Sequence, residues 1–156
     1  MFFFQFLSAG AVVLAVPVAI GVAIWLAVRP TPQRDAAAAQ SWANFHHYCI
    51  SSGWQLLYVH TLDADWPRGS KAHVSIYADS TSAVRDSWFW WHHVQPGSVV
   101  AVSGLGEGWG PHTRKDDVLF IGDEDAHLSG VRATFGAQEL VRARRHWNQH
   151  PRLGAA

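Results

Sequence analysis

His46 and Cys49 stand three residues apart, and His146 and His150 four apart, in a chain of 156 residues. On a helix these spacings bring side chains to one face, so each pair could offer two ligands to zinc. A zinc site takes three or four ligands, which neither pair supplies alone, and no His-Glu-x-x-His segment occurs. Cys49 also falls on an apolar stripe, where a buried cysteine serves as a small hydrophobe. His46, Cys49, His146 and His150 therefore carry an alternative reading, a membrane-anchored enzyme or metal-binding protein. The leading reading has no cofactor and no catalytic residue.

Other chemistry is weaker still. Gly104-Leu-Gly-Glu-Gly-Trp-Gly110 follows a predicted strand, where dinucleotide loops begin. Such loops need Gly-x-Gly-x-x-Gly and then a helix to meet the phosphate. Here the glycines alternate strictly and Pro111 follows, so the segment reads as a hairpin tip or a backbone-mediated contact. The phosphate loop and the Gly-x-Ser-x-Gly elbow are both absent. Carboxylates gather at Asp63/Asp65, Asp116/Asp117 and Asp123-Glu124-Asp125, each in a predicted turn, where they form turns rather than acid–base pairs. The balance points away from an enzyme.

Contact surfaces are better marked. Trp88-Phe-Trp-Trp-His-His93 is the densest aromatic cluster. Read as a helix over 81–93 with Val84, Trp88 and Trp91 toward the core, it leaves Phe89 or Trp90 to meet a partner. Trp109 in the glycine segment joins them as a partner-binding candidate. Arg142, Arg144 and Arg145 lie on the last predicted helix, a candidate lipid or partner contact, and the helix dipole also favours arginine there.

These residues need elements to position them. Proline at 30 and 32 predicts an extended linker over 29–35, with Asp35 capping a helix over 36–50. Ala38, Trp42, Phe45 and Cys49 form its apolar stripe, and Gly53 ends it. Strands are predicted over 54–62 and 72–78, joined by a turn over 63–70, and over 98–103, 118–121 and 128–135. A helix over 137–149 closes the domain. The expected fold is α+β: one N-terminal transmembrane helix, then a small soluble domain of about five strands and three helices over 36–156.

Composition narrows the class. Twelve basic and twelve acidic residues cancel, which argues against a nucleic-acid partner. One cysteine excludes an intramolecular disulfide. Nine tryptophans suggest large contact surfaces, because indole joins apolar area to one polar handle. Arginine-, alanine- and glycine-rich usage points to a bacterial source.

Residues 2–28 contain no charge and are followed by Arg29, long enough for a bilayer core and longer than a signal-peptide core. Residues 1–28 are thus expected to be a retained anchor. Ala11, Ala15, Ala19, Ala23 and Ala27 form a ridge of small side chains, with Gly10 and Gly21 on another strip, suited to close helix packing. Arg29 and Arg34 put the soluble domain on the cytoplasmic side of a bacterial inner membrane. Together these features predict a single-pass accessory or scaffolding subunit of a larger membrane complex. Its partners would be membrane proteins and the lipid bilayer.

Overall fold

The computed structural model describes residues 31–77, 79 and 81–150. Helix α1 runs from Pro32 to Ser51. Proline suits a first helical position, because its missing N–H would have had no helical partner. At the other end Gly53 takes a φ of 71°. There its N–H bonds to Ile50 O and that of Trp54 to Cys49 O, the paired bonds of a Schellman cap. Helix α2 spans Ala137–Gln149 and buries Leu140 and Ala143. The two helices are tied by Arg145, whose Nη1 lies 3.3 and 3.4 Å from the oxygens of buried Asp35.

Between them in sequence come β1 (Gln55–Trp66), β2 (Gly69–Ile76), β3 (Arg85–Trp90), β4 (Val99–Val102), β5 (Leu105–Gly110), β6 (Lys115–Ile121) and β7 (Val131–Phe135). They form one sheet in the order β5-β6-β3-β2-β1-β4-β7. Only β3 and β6 run parallel; the other neighbours are antiparallel. The sub-order β4-β1-β2-β3 is a Greek key. Strand β5 starts three residues after β4 ends, yet it sits at the opposite margin. The sheet must therefore curl until its margins approach.

The twofold alternation of strands divides the apolar residues into two cores. Leu56, Val99, Ala101 and Phe135 face the helices with Ala38, Ala39, Trp42 and Cys49, and Phe45 packs against them. Leu57, Val59, Val74, Phe89, Val100, Leu119 and Ile121 fill the inside of the curl, with Leu105 of β5 and Val131 of β7 packed against them. That both margins touch this inner core confirms the curl.

Several expectations need correction. Among the described residues there are two helices and a seven-stranded mixed sheet, not three helices and five strands. The segment expected as a helix over 81–93 instead carries β3 over its middle, Arg85–Trp90, flanked by irregular backbone, because a strand resolves its aromatics into two faces where a helix would strand some of them in water. The glycine segment is β5. Strand β1 continues through Trp66 into the expected turn, and the linker's Pro32 already belongs to α1. Among the described residues no helix is long and apolar enough to cross a membrane, which overturns the transmembrane, single-pass and inner-membrane readings. The segment expected to span, with Gly10, Ala11, Ala15, Ala19, Gly21, Ala23 and Ala27, lies outside the described residues.

Candidate functional site: a tryptophan groove

Residues 88 and 90 of β3 point out of the curl, while Phe89 between them is fully buried inside. The parallel register sets Phe120 of β6 beside Trp88, on the same outer face. Across from it on β5 come Gly106 and Gly108. Their missing side chains leave Phe120 open: a Cβ at Gly108 would lie 3.7 Å from its ring. Strict alternation would then turn Trp109 inward with Leu105. A register shift between Gly108 and Gly110 breaks the alternation, and Trp109 lines the outer groove instead.

The β1–β2 turn supplies the other wall. Trp66 ends β1 opposite Gly69, and Pro67-Arg68 make the connection. Trp91 N–H donates to Arg68 O at 2.8 Å, which pins the turn to the end of β3. Ser70 Oγ donates to Asp65 Oδ1 at 2.6 Å. The Trp91 indole N–H reaches the carbonyls of Asp123 and Glu124 at 3.1 and 3.3 Å, fixing the loop that carries Glu124.

The result is a groove of about 710 Å³ lined by Trp66, Pro67, Arg68, Trp88, Trp90, Trp109, Pro111, His112, Phe120 and Glu124. Trp66 and Trp88 have ring centroids 5.1 Å apart at 54°, and Trp88 and Trp90 4.9 Å apart at 56°. Trp66 and Trp109 are 47 and 55% exposed, unusual for side chains whose area would ordinarily be covered. Arg68 and Glu124 form an ion pair of 3.0 Å at the rim. The Trp88 indole N–H is buried and has no acceptor among the described residues.

Toward the other end of the same face the character becomes ionic. His73 of β2 places Nδ1 3.1 Å from Asp63 and Nε2 2.8 Å from Asp86. Among the described residues these three are the only group of three or more side chains close enough to share a metal ion. Lys71 lies 3.2 Å from Asp63 and Lys115 2.8 Å from Asp86. Two carboxylates already face two ammonium groups, which leaves no net negative charge for a divalent cation. The cluster is a network of ion pairs across four strands.

Burial alone pushes Asp86 up, but the hydrogen bond and charge of Lys115, with the charges of His73 and Lys71, outweigh it and hold the carboxyl below its ordinary 3.8. Burial, with His93 adjoining, lowers the imidazole of His92 below 6.5. Both shifts make the unfolded chain bind more protons in acid, so both erode stability as pH falls. Urea midpoints should therefore decline in two steps. The first starts as pH passes below 6.5 and is removed by His92→Gln. The second lies below 3.8, where hydrogen bonds from Ser70 and His93 also hold Asp65 low and those from Thr81 hold Asp79 low, and Asp86→Asn removes only the Asp86 share of it.

The residues singled out from sequence are dispersed. Trp90 and Trp109 meet in the groove, whereas Phe89 is a core residue and is not available on that face. Cys49 is buried against the sheet, and burial raises its thiol. His46 stacks on Trp42 at 5.8 Å, and His146 and His150 stack on each other at 4.8 Å. His46 and Cys49 gather no third ligand, nor do His146 and His150. Arg145 is held by Asp35, and Arg144 lies 5.2 Å over the Tyr58 ring, so two of the three arginines are engaged within the domain. Arg142 is half-buried on α2. Trp66, Trp88 and Phe120 were not expected in a site. The strict glycine alternation was the signal that a strand with one bare face lay opposite them.

Compared with protein-family models, curated proteins and solved structures, the chain matches none.

Proposed function

We propose that this domain is a non-catalytic binding module, an accessory or scaffolding subunit that holds its partner in the tryptophan groove. The observation that carries the reading is the convergence of four indoles from three strands, with Phe120, on one solvent-open groove. Exposed aromatic area on this scale marks recognition sites rather than surfaces left in water. The strand plan offers support by analogy alone: partly open Greek-key barrels of the OB type bind ligands on the strand 2–3 face and its flanking loops. Here that region is β2, β3 and the turn at Pro67-Arg68.

The full chain labelled with 5-fluorotryptophan provides the test, because its nine indoles give separate fluorine resonances assignable by single Trp→Phe variants. A proline-rich peptide, a linear oligoglucoside and an oligothymidylate serve as probes. At least one should shift Trp66, Trp88, Trp90 and Trp109 while leaving Trp42 and Trp147 in place. Silence from all three at millimolar concentration, or shifts confined to other indoles, removes the groove reading.

A further inference from the structure

Resting on the groove as a binding site, we infer that its occupant is a polypeptide segment in the polyproline II conformation. Three features of the groove select this chemistry. The first is angular. Successive indoles meet at 54° and 56°, so they form a ridged surface rather than one flat platform. A polyproline II helix has three residues per turn, hence a triangular cross-section whose edges pack against a ridged aromatic surface. A pyranose ring stacks best on a flat face, which tilted neighbours do not extend.

The second feature is the Trp88 indole N–H, buried without an acceptor among the described residues. Such a donor gains from any ligand that brings an acceptor. Polyproline II offers many, because its carbonyls make no internal hydrogen bonds. The third is charge. Among the described residues Arg68 is the one lysine or arginine lining the groove and it is paired with Glu124, while Lys71 nearby is paired with Asp63. A nucleic-acid strand needs unpaired cations along its phosphates, and this wall supplies none. Proline-rich segments need only an aromatic surface and a few donors, and their preformed helix loses little entropy on docking.

Isothermal titration of the full chain decides the matter, with a proline-rich peptide and a copy in which every proline is alanine. The proline peptide should bind at least about tenfold tighter, and Trp90→Ala/Trp109→Ala should weaken it by a similar factor. Trp88→Phe keeps a ring but deletes the donor. It should weaken the peptide roughly threefold to tenfold, the worth of one hydrogen bond, while the thermal midpoint stays equal or rises. A merely structural Trp88 would move stability instead. Equal affinity for the two peptides, or an unchanged affinity in Trp88→Phe, overturns the assignment. If the oligoglucoside or oligothymidylate shifts the groove indoles and the peptide does not, the groove stands and the peptide assignment falls. If no probe shifts them, both fall.

Discussion

Phe89→Ala is expected to cost about 3–5 kcal/mol, the range for deleting a buried aromatic ring. Phe89 is fully buried inside the curled sheet among Val74, Val100 and Ile121. The surrounding strands are tied to neighbours on both sides and cannot collapse into the space. Its neighbour should behave oppositely. Trp90 is half-buried, lines the groove and stacks on Trp88, so Trp90→Ala should cost no more than about 2 kcal/mol. Urea unfolding of the two variants measures the contrast. A domain of this size holds about 5–15 kcal/mol in all, so the Phe89 variant loses a large share of it. Equal losses would mean that residues 89 and 90 do not face opposite ways, and the strand assignment of this segment would fail.

The second large effect belongs to Gly69. Its φ is 133°, and an added Cβ would run into the Phe89 carbonyl oxygen while lying 3.1 Å from Trp91 N. Both neighbours are backbone, so no side chain can swing aside. Alanine here must distort the β1–β2 turn or open the Gly69–Trp90 pairing. The backbone conformation alone costs about 1–3 kcal/mol, and the overlap adds to it. Gly69→Ala should therefore lose about 3 kcal/mol or more. Gly53 is the control, since its φ is also positive, at 71°, but a Cβ there meets nothing within 4 Å. Gly53→Ala should cost only about 1 kcal/mol. Thermal unfolding of both variants reads the difference, and similar losses would mean that Gly69 is not crowded.

Local signals were legible and long-range ones were not. The last helix could be read to its ends from Leu140, Val141 and Trp147, although Val141 is exposed and Ala143 shares the buried side with Leu140. The start of α1 was missed because proline reads as a breaker, although a first helical turn tolerates it. The β3 segment misled for a different reason. Val84, Trp88 and Trp91 fall at helical spacing, while the twofold pattern of Ser87 and Phe89 inward, Trp88 and Trp90 outward, spans too few residues to compete. In the glycine segment the twofold pattern was plain, yet glycine disfavours strands, so propensity outweighed periodicity. The groove itself lay beyond local reading. Trp66 reaches Trp88 across β2, through the β1–β2 turn and the β2–β3 pairing, and Phe120 joins it only when β6 pairs with β3 in parallel; no spacing in the chain encodes those meetings.

That parallel pairing has a consequence for assembly. Trp66, Trp88 and Trp90 belong to a meander of adjacent hairpins, whereas Trp109 and Phe120 arrive on a later hairpin that must close a long loop to reach β3. Distant pairings form after local ones, because closure entropy is lost before contacts repay it. On the proposed reading, one part of the recognition surface is therefore made early and the other only once β6 reaches β3. A partly folded chain would present only one wall to a partner, reserving recognition for the closed sheet, and a partner seated across the β3–β6 pairing would in turn hold it closed.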